Sequence, residues 1–286
     1  MVGLDAFTDY YPRPLKEANL DEARGRKGFE LVEADLAQAP LHELVDGADG
    51  VFHLAAQPGV RGSWGETFAL YARDNLIATQ RIFEAAIAAR RRVAWASSSS
   101  VYGNAESYPT REDVRPSPIS PYGVTKLSCE SLAAAYAATR ELDAVALRYF
   151  TVYGPRQRPD MAFSRIVGGL AEGGAFHVFG TGEQTRDVTY VGDAVDATLA
   201  AMARAPAGAT YNVGGGSETT LLDVIRLAER LSGRRLELRH EASAVGDVRR
   251  TAADTSAAQE DLGWEPRVPL EEGLRAQLAA SGLATD

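Results

Sequence analysis

The sequence predicts an α/β fold built on a parallel sheet, and three observations carry that reading. Between residues 50 and 200, short apolar runs of strand length alternate with longer helical stretches, the rhythm of strand, crossover helix, strand. The short runs are nearly continuous in apolar residues, as strands buried on both faces must be. The intervening stretches carry Ala, Leu, Ile, Glu and Arg without a Pro or Gly to interrupt them.

Taken in chain order, Val2-Gly3-Leu4-Asp5 reads as the tail of a first strand and 29–35 as a second. Strands at 50–55, 93–98 and 143–148 follow, which makes five parallel strands. Long helices are expected over 66–90 and 124–141. After about residue 152 Pro and Gly punctuate the chain, at Gly154-Pro155, Arg158-Pro159, Gly173-Gly174 and Gly214-Gly215-Gly216 among others. A second, looser region is expected there, with helices at 162–172, 192–204 and 220–232, the last capped from Thr219-Thr220. The expected division is 1–152 and 153–286.

Composition narrows the function classes. The 286 residues suffice for one large domain or two modest ones. At 45% hydrophobic and 24% charged, with no run of roughly 18 apolar residues, the chain is not expected to span a membrane. A net charge of −9 argues against nucleic acid as a partner. Cys129 is the single cysteine, so no internal disulfide and no multi-cysteine metal site is expected, and a reducing, cytoplasmic setting suits the chain. The first residues lack the basic segment and apolar run of a secretion signal.

Chemistry concentrates in two places. Tyr122 and Lys126 lie four residues apart and project from one face of a helix. A phenol is a poor base at neutral pH, but a neighbouring ammonium stabilises the phenolate and makes proton transfer feasible. The run Ser97-Ser98-Ser99-Ser100-Val101-Tyr102-Gly103 ends a strand, at the carboxyl edge where open α/β sheets bind ligands. Alone, each is compatible with an exposed pair or a serine-rich turn.

Together these two motifs, with His53-Leu54-Ala55-Ala56, Arg148-Tyr149-Phe150-Thr151-Val152-Tyr153-Gly154-Pro155, Arg186-Asp187-Val188-Thr189-Tyr190-Val191 and Asp261-Leu262-Gly263-Trp264-Glu265-Pro266, resemble the extended short-chain dehydrogenase/reductase family. The likeness is to its nucleotide-sugar epimerases and dehydratases and covers essentially the whole chain. It implies a Rossmann-like, doubly wound sheet with a smaller C-terminal substrate region, and NAD as cofactor. The implied roles are Tyr122 as acid/base, Lys126 as its electrostatic partner and ribose ligand, and Ser98 as the group bonding the reacting hydroxyl. Asp5 is implied to hold the adenosine ribose, which would repel the 2′-phosphate of NADP. Asp35 and Leu36 resemble the adenine-contacting pair; Leu54, Ala55, Ala56 and Tyr149 resemble positions beside the cofactor. His53 matches a family position and is read as structural, with no second histidine at ligand spacing and no metal site expected.

The family's dehydratases carry Asp-Glu before Val-Tyr-Gly, and its decarboxylases carry Glu directly before it; this chain has Ser99-Ser100. Epimerisation at C4 is the reaction that remains. Thr151, the loop Arg158-Pro159-Asp160-Met161-Ala162 and Gln57-Pro58-Gly59-Val60-Arg61 are similar to UDP-glucuronate 4-epimerases, whereas UDP-glucose 4-epimerases usually have Asn where Thr151 stands. A hydroxyl at Thr151 with the cluster from Ser97 to Ser100 is expected to hold a C5 carboxylate. UDP-glucose or another nucleotide sugar is the alternative substrate.

For the nucleotide half, His177 and Phe179 resemble the segment that seats uracil, although Phe179 fits a core position equally. Arg186 resembles a diphosphate-binding arginine. Arg249 and Arg250 lie near a second such position, whose usual place is taken by Ala244. The family also implies a homodimer through helices 66–90 and 124–141.

The same resemblance implies an opening strand, glycine-rich turn and helix, whose N-terminus binds the NAD pyrophosphate. The sequence opens at the next strand. A unit of roughly 25–30 residues is therefore expected upstream of Met1. Were it truly lost, strand 2–5 would be expected to slide against 50–55, leaving a noncatalytic NAD or sugar-nucleotide binder.

Overall fold

The computed structural model describes residues 1–242, 246 and 248–284. Strand β1 (Val2–Asp5), helix α1 (Arg13–Arg24) and strand β2 (Glu30–Glu33) form a parallel pair with its crossover. Helix α2 (Leu41–Asp46) leads to β3 (Gly50–His53). A long helical run follows: α3 (Phe68–Tyr71), a π-helical stretch (Ala72–Ile77) and α4 (Ala78–Ala89). After β4 (Arg92–Ser98) come α5 (Pro121–Arg140), β5 (Ala144–Tyr149) and β6 (Thr151–Tyr153). The remainder comprises α6 (Ala162–Glu172), β7 (Ala175–Phe179), β8 (Thr185–Tyr190), α7 (Val191–Arg204) and β9 (Thr210–Val213). It ends with β10 (Glu218–Thr220), α8 (Leu221–Ser232), β11 (Glu237–Glu241), α9 (Ser256–Leu262) and α10 (Leu270–Ala280).

The main sheet is parallel, in the order β3-β4-β5-β9. The middles of β4 and β5 are apolar because both faces are covered. Val93, Trp95, Ala144 and Ala146 pack with Phe83 and Ala86 of α4, while Ala94, Val145 and Leu147 pack with Ala197 and Ala201 of α7. That alternation is the period of two expected of a strand between two helical layers. A separate core holds the second region, with Phe163, Ile166 and Leu170 of α6 against Val178 of β7, Ile225 of α8 and Leu278 of α10. There, β10-β8-β6 and β11-β7 form two small sheets.

The five expected strands all exist; β6 to β11 were not expected, and of these β9 joins the main sheet unread because its four residues include Thr210 and Asn212. The strands do not form one sheet. Among the described residues β1 pairs only with β2, and β3 only with β4, so β1 has not slid against β3. Val2, Phe52 and Leu54, at and beside these unpaired edges, are 53%, 40% and 56% exposed. The second region is also less separate than expected. α7, β9 and α9 return from it to the first sheet, where Tyr211, Ala258 and Leu262 join the core over Leu147.

Candidate active site

A cleft of about 1270 Å³ opens at the carboxyl ends of β1, β3, β4 and β5 and is closed on its far side by β7, β8 and α6. It is lined by Tyr122, Lys126, Ser98, Ser99, Ser100, Thr151, Asp5, Asp35, Leu36, Leu54, Ala55, Ala56, Tyr149, His177, Phe179 and Arg186, so the tertiary fold gathers every residue expected at the site.

Helix α5 begins three residues earlier than periodicity predicts, because Pro121 takes its first turn and Ser120 caps it, the Ser120 Oγ accepting from Gly123 N at 3.1 Å. That start places Tyr122 on the helix itself. Gly123 permits the close approach this requires, since a Cβ there would stand 2.5 Å from the Ser100 carbonyl oxygen. The serine run leaves β4 at Ser98, whose Oγ accepts from Ser100 N at 3.1 Å and starts the turn Ser99–Val101. Lys126 is 4% exposed and donates from Nζ to Ala96 O at 2.8 Å. Tyr71 meets Tyr122 edge to face at 6.3 Å. Burial pushes the Tyr71 hydroxyl up to about 12, and it stays a donor to Pro58 O and Gly59 O.

Lys126 also provides the test of whether a dinucleotide fits. An ammonium has three donors, and among the described residues this buried one has a single protein acceptor, which leaves capacity for ligand hydroxyls. At the other end, Asp5 uses Oδ1 to accept from Phe7 N at 2.7 Å, and Asp35 accepts from Ala37 N at 2.8 Å and pairs with Arg73. These groups suit the two ribosyl ends of NAD. Among the described residues no glycine-rich turn leads from a strand into a helix between β1 and β3. Tyr149 lines the cleft with its ring, and its hydroxyl lies 2.5 Å from Thr198 Oγ1 on α7.

Asn75 escaped sequence reasoning. It sits within the π-helical stretch, is fully buried, and clamps the backbone of Gln57 from both sides, at 2.7 Å to N and 3.1 Å to O. Its Nδ2 also donates to Thr125 Oγ1 on α5 at 3.0 Å. The segment Leu54-Ala55-Ala56 is thereby tied to the helix that bears Tyr122. A single Asn in a helical pattern carries no sequence signal for this, although π-bulges often mark functional sites.

His53 is structural. It is 5% exposed, its Nε2 lies 2.9 Å from Thr79 Oγ1, and burial pushes its pKa down to about 3. The unfolded chain therefore takes up a proton near the ordinary value of 6.5 while the folded chain does not. Stability from this group is intact above pH 6.5 and declines as pH falls toward 3. The loss between pH 7 and pH 5 is expected to be about 2 kcal/mol. Thermal unfolding of His53→Asn over that range should show a shallower decline than the wild type; an equal slope would refute the assignment.

On the nucleotide side, His177 Nδ1 lies 2.5 Å from Glu241 Oε1, and Arg186 donates to Thr185 O at 2.9 Å. Phe179 belongs to the cleft wall, with the Arg61 guanidinium stacked 4.0 Å over its ring. Arg250 is committed to Glu218 through two bonds of 2.6 Å. Ala244 lies outside the described residues. Ser97 refines an expectation: it lines the cleft, but it is 3% exposed and its hydroxyl donates to Glu130 Oε1 at 2.5 Å, so that proton is not offered to a sugar as those of its neighbours are.

Arg158 is the second residue that sequence reasoning did not single out for a role. Its Nε and Nη2 bond Asp160 at 3.0 and 3.1 Å, it lies over the Tyr10 ring, and it lines the same cleft as Tyr122. Among the described residues, Nη1 has no protein acceptor in the cleft. No group of three His, Cys, Asp or Glu side chains among the described residues is arranged to hold a metal ion, and no helix is long and apolar enough to cross a membrane.

The sequence pattern of the NAD dependent epimerase/dehydratase family matches residues 6–214. An uncharacterized UDP-glucose epimerase of Bacillus subtilis (strain 168), YtcB, is 40% identical over 281 residues, covering 98% of this chain and 89% of that protein. UDP-glucuronate 4-epimerase of Thermodesulfobacterium geofontis is 33% identical, covering 96% and 86% respectively. The crystal structure of UDP-glucuronic acid 4-epimerase from Bacillus cereus, with UDP-glucuronic acid and NAD, superposes with a TM-score of 0.95 at 39% identity, covering 98% of this chain and 90% of that one. With the family pattern spanning most of the chain and the serine run, Tyr122 and Lys126 gathered in one cleft, the chain belongs to the NAD-dependent epimerase/dehydratase family.

Proposed function

We propose that the chain is a UDP-glucuronate 4-epimerase, converting UDP-glucuronate to UDP-galacturonate. One observation carries the choice of substrate: Arg158 shares with Tyr122 a cleft in which Ser99, Ser100 and Thr151 offer hydroxyls. At Ser99 and Ser100 dehydratases would need an acid pair, and at Ser100 decarboxylases would need a Glu. A cation beside a cluster of hydroxyls suits a sugar carboxylate.

Tyr122 takes the proton of the sugar 4-hydroxyl and returns it after inversion, while Ser98 orients that hydroxyl and Lys126 holds positive charge one helical turn away. NAD, when bound, supplies the hydride acceptor and donor at C4. The transient 4-keto sugar is a β-keto acid, which loses CO2 when its carboxylate aligns with the carbonyl π system. Arg158, Ser99, Ser100 and Thr151 hold the carboxylate out of that alignment.

Incubation with UDP-glucuronate and chromatography tests this: UDP-galacturonate is expected, and a UDP-pentose overturns it. Turnover of UDP-glucose with none of UDP-glucuronate would favour the second reading, to which the 40% identical relative's name points. Absence of bound NAD by absorbance and of any thermal shift on its addition would favour a noncatalytic binder.

The reading extends to setting and assembly. Residues 1–152 hold the dinucleotide and 153–286 mainly the nucleotide sugar, in the cytoplasm, where a single buried cysteine suits the redox state. Phe68, Leu70, Ile77 and Val124 are 40%, 39%, 51% and 45% exposed on the α3–α4 run and α5, a face suited to a second copy. Light scattering should give a dimer that Ile77→Asp dissociates; a wild-type monomer would exclude it.

A further inference from the structure

Glu130 follows Tyr122 and Lys126 at the same four-residue spacing, so all three share one face of α5. Its carboxylate is held bidentately by Arg148 of β5, from Nε at 2.9 Å and Nη2 at 2.7 Å. The side chains are only 10% and 7% exposed. The same carboxylate accepts the hydroxyl of Ser97, the neighbour of Ser98 on β4. From Arg148 the network continues through Nη1 to Tyr102 OH at 2.7 Å, and from that hydroxyl to Asn212 Oδ1 at 2.7 Å. Asn212 in turn donates to Thr110 O and Asp254 O.

A buried ion pair recovers little more than its own desolvation cost, so stability is a weak reason for its presence. What this pair does, directly behind the serine run of the cleft, is join three elements at one point: α5 through Glu130, β5 through Arg148 and β4 through Ser97. We propose that Glu130 is a positioning residue, which, braced by Arg148, holds Ser97 and thereby sets Ser98 in register with Tyr122 and Lys126. The proposal rests on the epimerase reading for its kinetic consequence.

Two variants separate register from stability. Glu130→Leu/Arg148→Met replaces the pair by apolar side chains, an exchange that is often neutral for folding. Ser97→Ala removes the tether and leaves the pair. Both are expected to retain NAD and to melt within about 5 °C of the wild type. Both should lose about 10- to 100-fold in kcat with KM within about threefold. Arg92→Met is the comparator: it breaks the ion pair with Asp143 and the bond to Ala205 O away from the cleft, and should lower Tm while sparing kcat. Undiminished kcat in folded Ser97→Ala overturns the proposal, as does a kcat loss that merely tracks Tm. If the double variant does not fold, Ser97→Ala decides. Amide exchange over residues 98–101 needs no substrate and should quicken about tenfold in Ser97→Ala. A wild type that binds UDP-glucuronate without inverting it would sink the epimerase reading, and unchanged exchange would separately sink the tether.

Discussion

Tyr122→Phe is expected to lower kcat for C4 inversion by about 10²- to 10⁴-fold, the usual contribution of a positioned acid/base. KM should change by less than about threefold, because the phenol acts on the reacting proton and the ring is retained. Fold and NAD content should be unaffected, since the Tyr122 ring keeps its edge contact with Tyr71 and its place in the first turn of α5. Tyr71 is no substitute, because burial keeps its phenol protonated and its hydroxyl is spent on two backbone carbonyls. Stopped-assay chromatography of both uridine sugars would check this. Undiminished inversion by Tyr122→Phe would dismiss the proton-transfer scheme.

Arg158→Met should separate substrates. The guanidinium lines the same cleft as Tyr122, and a charge-assisted hydrogen bond to a carboxylate is worth most where water is thin. The expected result is a fall of about 10²-fold in kcat/KM for UDP-glucuronate. Binding of UDP-glucose, read as its Kd, should stay within about threefold of the wild-type value, because that sugar presents no carboxylate. Some UDP-pentose should also appear, from keto sugar whose carboxylate is no longer held. Equal losses on both sugars would assign Arg158 to general architecture.

The contrast between α5 and Asn75 explains what was legible beforehand. The face of α5 could be read because helical spacing is local: Tyr122 and Lys126 lie within five consecutive residues, although the cap at Ser120 that puts Tyr122 on the helix came only with the structure. The strands that end at Asp5, just before Leu54 and at Ser98 could be read because each is a short, nearly continuous apolar run. Asn75 could not be read, since its partners Gln57 and Thr125 are 18 and 50 residues away and its π-helical setting has no periodicity of its own. Ser97 was misplaced for a related reason. Four adjacent serines are chemically alike, and only packing against Glu130 distinguishes the one that turns inward.

The amino-acid sequence by itself determined the parallel strands, the two long helices, the proton-transfer pair and the serine cluster, because each depends on residues within one element and on the periodicity of burial. Only the tertiary structure decided that Arg158 lines the cleft and that the Ser97 hydroxyl is turned to Glu130. It also decided that Glu130 and Arg148 brace three elements, and that β1–β2 and β3–β4–β5–β9 form separate sheets. Those are pairings between segments far apart in the chain, and they are chosen by shape and charge once the layers have packed.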